Sequence, residues 1–452
     1  MTIHFDKIHT IYVSGIGGIG TSALAQLLHA DKKKVSGSDA ISSSITDCLQ
    51  KKGIAVFIGQ NKTLFTKNTD LLIYSDAVPE HHPDRKKAQE LGIPQLSYFE
   101  ALGEYIRQFK TVIAVSGTHG KSTTTAMIAN MCIAAQLNPT VIVGSVVKEF
   151  GSNARKGAKD LCIVEACEHR EHMLHLHPHI IVLTNIEEDH LDYYHDLDHI
   201  ILTFQKYINH LPMNGVLIKN NDDAGSHDIG FDGRIITYGM THDSDIFAKN
   251  MNTLDQIQTF RHGETTFELP IPGVFNMYNA LAAIAVGKHL GISEQTMHNV
   301  LRTFRGVWRR FEIMGAYKGA LVISDYAHHP TAIQKTIQAA REFYPNRRIG
   351  VIFQPHQRSR TQKLFSQFVK AFTNADFVIV QEIYDVLGRE NEENQISSQD
   401  LVNEIEKKGK YAVYSRNANE TREKVNIFLE QGDVLLIMGA GDIYQLAETL
   451  VK

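Results

Sequence analysis

The residues most able to do chemistry lie in Gly117-Thr118-His119-Gly120-Lys121-Ser122-Thr123. An apolar stretch, Val112 to Val115, precedes them, and a helical stretch from Ser122 to Ala135 follows. Two glycines in such a turn let backbone N–H groups face phosphate oxygens, and the helix start adds its positive end. Lys121 then reaches the terminal phosphates of ATP and Ser122 ligates Mg²⁺. The run is shorter than the full G-x-x-x-x-G-K-[ST] spacing unless Val115 or Ser116 stands in for the first glycine. Two more positions suit metal work. Glu165 ends the apolar run Leu161 to Val164, and His190 lies in Thr184-Asn185-Ile186-Glu187-Glu188-Asp189-His190 after the run Ile180 to Leu183. Mg²⁺ prefers oxygen, so on residue type alone His190 reads equally as a surface or capping side chain.

A second glycine run, Gly15-Ile16-Gly17-Gly18-Ile19-Gly20, follows the strand-like Thr10 to Val13. Asp39, with Ser38 beside it, lies about twenty residues further on, where a dinucleotide fold places its ribose-binding acid. Taken alone this suggests an NAD-dependent oxidoreductase. The chain also carries an ATP loop, however, and has no evident hydride-transfer site. The glycines only let backbone approach a pyrophosphate, and a UDP-sugar has one too.

These loops need strands to hold them. Apolar runs entering glycine-rich turns and then helices recur at 9–40, 111–136 and 320–343, with a last strand and helix at 433–451. Strand followed by helix, repeated, predicts α/β units with parallel sheets. We read three domains, 1–107, 108–308 and 309–452, with seams near 105–110 and 306–311. The segment 231–270 alternates short β-like runs with polar turns and is expected to form antiparallel decoration of the middle domain. The 452 residues, 43% hydrophobic and 21% charged, are those of a globular protein. A net charge of −4 gives no global basic field for nucleic acid or membrane. Cys48, Cys132, Cys162 and Cys167 show no CxxC spacing. The N-terminus lacks signal-peptide features and no apolar run approaches membrane-spanning length, so a cytoplasmic protein is expected.

GIGGIG, GTHGKSTTT, TNIEEDHLDYY, FNMYNALAAIAV, GVWRRFE, DYAHHPTAI, FQPHQRSRT and GAGDI occur in that order between residues 15 and 443. Together they resemble the Mur ligase family, and within it the branch joining L-alanine to UDP-N-acetylmuramate in peptidoglycan synthesis. The resemblance implies an N-terminal Rossmann-like UDP-sugar domain, a central P-loop ATPase-like domain and a C-terminal Rossmann-like domain for the amino acid. It implies that ATP phosphorylates the sugar's carboxylate and that the amine attacks the acyl phosphate, aided by Lys121 and two Mg²⁺ ions. By position, Ser122, Glu165 and His190 fall on the family's metal-binding residues, and Asn276 and Asn279 on its adenine contacts. Arg310 falls near the phosphates and Asp325 on the ribose contact. Tyr326, His356 and Arg360 fall on the amino-acid pocket, where Arg360 suits the alanine carboxylate. Gly15, Gly17, Gly18 and Gly20, flanked by Ser38 and Asp39, fall on the UDP-diphosphate loop.

Two departures stand out. Glu165-Ala166-Cys167-Glu168-His169-Arg170 replaces the family's usual EADESD, so the roles of Cys167 to Arg170 do not carry over. Gln357 stands where many members have an arginine, leaving open whether Arg358 substitutes. Glu149 to Arg155 also resembles the murein tripeptide ligases, which attach a recycled peptide to the same sugar and form the alternative reading. ATP held by both Asn276 and Asp325 requires the third domain to close over the second.

Overall fold

Thr10–Ser14, Thr111–Ser116 and Val434–Met438 are near-continuous apolar runs buried along almost their whole length. Strands of that kind belong inside parallel sheets covered on both faces by helices. A computed structural model of the chain, describing residues 5–59, 65–191, 193–385 and 396–452, places each of them in a sheet of its own. The first sheet runs Ala55–Ile58, Lys34–Asp39, Thr10–Ser14, Leu71–Tyr74, Gln95–Ser97, all parallel.

The eight-stranded middle sheet centres on Thr111–Ser116, flanked by Ile180–Leu183 and Leu161–Glu165. Its one antiparallel pairing joins Thr140–Val147 to the edge strand Ser152–Arg155. The six-stranded third sheet is parallel except for the edge strand Glu312–Tyr317, paired antiparallel with Ala320–Asp325. The chain is thus a three-domain α/β fold. Among the described residues no helix is long and apolar enough to cross a membrane.

The segment 231–270 departs from the sequence expectation. Arg234–Gly239 and Ile246–Phe247 pair parallel and extend the main sheet. Only Lys249–Leu254, Ile257–His262 and Thr265–Leu269 form a separate antiparallel sheet. The reason is a long-range contact: Tyr238 is buried, and its hydroxyl donates to the Leu183 carbonyl at 3.1 Å. Helix Lys121–Ala134 is buried on nearly every side, since it packs between the middle sheet and helices Val274–His289 and Glu294–Thr303.

Two seams fix the domains against one another. One hydrophobic cluster runs without a break from Ile11 and Leu24 of the first domain to Val112, Leu183 and Phe204 of the second. At its edge the buried Asn153 amide donates to the Ile19 carbonyl (2.5 Å) and Ser22 Oγ (2.8 Å), and its oxygen accepts from Gln26 (2.8 Å). At the second seam Trp308 N–H donates to the Val146 carbonyl at 2.9 Å, and its ring meets Tyr444 edge-on. The next residue, the buried Arg309, donates to the carbonyls of Gly439 and Gly441 in the GAGDI turn. Asn153→Ala strands buried partners at the first seam, a loss of about 1–3 kcal/mol. It is expected to lower the first thermal unfolding transition and speed proteolysis between the first two domains; unchanged scans and cleavage would show that the apolar seam suffices.

Candidate active site

The phosphate loop leaves strand Thr111–Ser116 and enters helix Lys121–Ala134 with no side-chain cap at Gly120, leaving the helix N-terminus open to an anion. Gly117 (φ 132°) and Gly120 (φ 83°) have backbone that L side chains rarely adopt. A Cβ on them would lie 2.1 Å from Thr184 Oγ1 and 2.3 Å from Asn279 Oδ1 respectively. The segment after strand Ile180–Leu183 braces the loop. Thr118 N–H donates to the Asn185 carbonyl (2.9 Å), His119 N–H to Asn185 Oδ1 (2.9 Å), and Glu187 N–H to Thr118 Oγ1 (2.9 Å). The TNIEEDH motif therefore shapes the loop before it does any chemistry.

Lys121 folds back over its own loop, donating to the carbonyls of Gly117 (2.5 Å) and Thr118 (3.0 Å). Both carboxylate oxygens of Glu168 lie near its ammonium, at 2.8 and 3.0 Å. His190 Nε2 approaches the same carboxylate at 3.6 Å. Burial opposes ionisation of Glu168, yet Lys121 and His190 hold its pKa down at about 2. Burial likewise works against charge on Lys121 and His190, and the facing carboxylates keep both raised. Glu168 is the residue that sequence reasoning left aside. Its only signal was position, three residues past Glu165. His190 holds left-handed backbone (φ 53°), strain that its neighbours must enforce.

Glu165 points elsewhere, accepting Gly144 N–H at 2.7 Å. The Ser122 hydroxyl and Glu165 are oxygen donors of the type Mg²⁺ takes, and Ser122 sits buried in the first turn of the open helix. These residues fit the ion, whereas His190 faces Glu168.

Beside the loop lies a cavity of ≈ 260 Å³ between the second and third domains. It gathers His119, Gly120, Ser122, Thr123, Asn276 and Asn279 from one side and Arg310 and Asp325 from the other. Asn279 accepts from Thr124 Oγ1 (3.1 Å) and donates to Asn276 Oδ1 (3.0 Å), which fixes both amides. Asp325 accepts N–H groups from Phe311 and Ala327, each at 2.7 Å. Burial, against the opposing charge of Arg310, raises its pKa. Asp222, Tyr278 and Lys335 also line the cavity, without having been singled out in the sequence.

In the third domain the Arg310 guanidinium lies over the Tyr326 ring at 4.9 Å, and His328 stands between Tyr326 and His356. Arg360 is already engaged: it donates to Asp189 of the second domain at 3.1 Å, with both side chains about nine-tenths covered. The space around this pair is only ≈ 20 Å³, about room for one water. Arg358, beside Gln357, pairs with Asp385 (3.0 Å) and Glu382 (3.5 Å). At the first glycine loop, Gly15 and Ile16 donate to the Ser38 carbonyl, and Asp39 accepts Gly17 N–H at 2.7 Å. Asp39 is turned into its own loop rather than outward to a ribose. The Ser38 hydroxyl is turned inward to Asp84.

Glu168→Gln leaves the Lys121 ammonium in a covered site without its counter-charge. A loss of about 3–5 kcal/mol is expected for one partner of a buried pair. Chemical denaturation should show the drop; an unchanged midpoint would mean that the loop carbonyls alone hold Lys121.

Three family domains match in order: the Mur ligase family catalytic domain over residues 10–110, the Mur ligase middle domain over 115–287, and the Mur ligase glutamate ligase domain over 309–441. A curated relative from Alkaliphilus metalliredigens, a UDP-N-acetylmuramate–L-alanine ligase, is 40% identical over 453 residues, covering 98% of this chain and 97% of its own. The solved UDP-N-acetylmuramate–alanine ligase of Thermotoga maritima superposes with a TM-score of 0.84 at 29% identity, covering 98% of both chains. A murein peptide ligase from Psychrobacter arcticus shares the fold, with a TM-score of 0.71 at 23% identity and 98% of both chains covered. With full-length similarity at this level, and a phosphate loop braced by the family's own motifs, the chain belongs to the Mur ligase family.

Proposed function

We propose that the protein joins L-alanine to UDP-N-acetylmuramate at the expense of ATP, forming an amide in peptidoglycan precursor synthesis. The observation that carries this is the cavity beside the phosphate loop, closed by Arg310 and Asp325 of the next domain, in a chain 40% identical over its length to an enzyme of that name. Mur ligases are ATP-dependent. Residues 1–107 take the UDP-sugar, 108–308 the ATP and 309–452 the amino acid.

ATP lies with its adenine toward Asn276 and Asn279 and its phosphates over the start of helix Lys121–Ala134. The sugar's diphosphate lies at Gly15 to Gly20, where helix Ile19–Ala30 also begins without a side-chain cap. The sugar's carboxylate oxygen attacks the γ-phosphorus, the bond to ADP breaks, and an acyl phosphate results. Like charges must approach for this, so Lys121 leaves Glu168 and turns to the phosphates. Ser122, Glu165 and His190 would hold Mg²⁺, which would supply further positive charge against the phosphates. Alanine's neutral amine then attacks the acyl carbon, and phosphate departs from the tetrahedral intermediate as the amide forms. The alanine carboxylate takes Arg360 from Asp189, beside Tyr326 and His356.

The murein tripeptide reading draws on a more distant likeness, 23% identity against 40%. The oxidoreductase reading loses its main residue, because Asp39 is committed to Gly17.

The deciding assay is phosphate release from ATP and Mg²⁺ with UDP-N-acetylmuramate, offering either L-alanine or the L-alanyl-γ-D-glutamyl-diaminopimelate tripeptide. Release with alanine is expected, and release only with the tripeptide would overturn the assignment. Arg360→Ala should raise KM for alanine about 30-fold or more, the effect of losing roughly 2 kcal/mol from one charged contact. KM for ATP should move far less. Equal shifts in both constants would remove Arg360 from the amino-acid pocket.

A further inference from the structure

His119 lies in the phosphate loop, Glu187 in the segment bracing it, and His329 at the start of helix Pro330–Phe343 in the third domain. Each offers one ligand atom, and these atoms lie within 4.8 Å of one another. Among the described residues no other group of three His, Cys, Asp or Glu side chains is so close. Ser122, Glu165 and His190, which suit Mg²⁺, contribute nothing to it.

The donor set is two imidazoles and one carboxylate. Mg²⁺ avoids such a set, whereas Zn²⁺ takes it, with a fourth position open to water. Bonds of about 2.0 Å in a tetrahedral site put neighbouring ligand atoms about 3.3 Å apart. His119 Nε2 and Glu187 Oε2 are already 3.2 Å apart. The other Glu187 oxygen faces Lys335 at 3.4 Å, so one oxygen is held and the other left to the cluster. His329 is 4% exposed, and its Nε2 has no hydrogen-bond partner. A buried nitrogen in that state is costly unless something occupies it. Its Nδ1 accepts Thr331 N–H at a long 3.4 Å. Ligation through Nε2 places the ring proton on Nδ1 and gives up that contact, the weakest of those around the site.

We propose that His119, Glu187 and His329 form a second metal site, selective for Zn²⁺-like transition ions, that ties the phosphate loop to the third domain. An ion there bridges the two walls of the ATP cavity and holds them at their closed separation. Zn²⁺ then slows turnover by retarding the opening that nucleotide exchange needs. Binding at this site is independent of which amino acid the enzyme ligates.

The test is equilibrium dialysis of chelator-treated full-length protein against Zn²⁺ in excess Mg²⁺. The parent is compared with His329→Asn, which keeps an N-cap acceptor for Thr331 but has no imidazole. Glu187→Gln, which keeps the shape without the charge, is the second variant. The parent is expected to hold one more Zn²⁺ than either variant, or to hold it at least about tenfold more tightly. X-ray absorption of the bound zinc should show two histidine ligands in the parent and fewer in His329→Asn. Phosphate release should need at least about tenfold more Zn²⁺ for half-inhibition in His329→Asn than in the parent. Equal zinc binding by parent and both variants would overturn the site, and equal inhibition despite lost binding would overturn the clamp.

Discussion

A buried positive charge is the constraint on which the rest of the molecule turns. A phosphate loop needs a lysine, and the Lys121 side chain is largely covered, held by its own loop carbonyls and Glu168. Without a nucleotide, that charge needs an internal partner, because an ammonium removed from water is strongly disfavoured unless paired. Glu168 supplies the partner and binds His190 through the same carboxylate. One acidic side chain thus keeps a cation of the phosphate loop and an imidazole from the next strand's exit in place.

The same logic repeats between domains. Arg360 waits on Asp189 and Lys335 reaches Glu187 across the second seam, while within the third domain Arg309 is plugged into the carbonyls at Gly439 and Gly441. Each contact joins groups far apart in the chain. Arg309 is a permanent fastening, since it is buried and bound to backbone. The ion pairs at Arg360 and Lys335 are exchangeable, because an incoming carboxylate or phosphate competes for the same cation. The second and third domains therefore meet partly through ion pairs.

The sequence was strong where one local pattern settles the outcome. Strand, glycine turn and helix at 111–134 are local physics, and so are the parallel sheets implied by fully apolar strands. The loops at Gly15 and Gly117, with Asn276, Asn279, Arg310 and Asp325, were legible because motif order carried them. Residues 231–270 were not, because short strands carry little periodicity and the Tyr238 hydroxyl decided which sheet Arg234–Gly239 would join. Glu168 was passed over because its surroundings depart from the familiar string. Its importance lies in what faces it across 47 residues.

What the sequence alone determined is two glycine-rich turns, each leading from a strand into a helix, and the order of three α/β domains. These follow from backbone sterics and hydrophobic burial acting over a few neighbouring residues. What only the tertiary structure decided is which charge answers which. Asp39 turns to Gly17, Arg360 to Asp189, Arg358 away to Asp385, and His119 toward Glu187 and His329. Electrostatic pairing depends on separation in space and on burial, and neither quantity exists until distant segments have packed together.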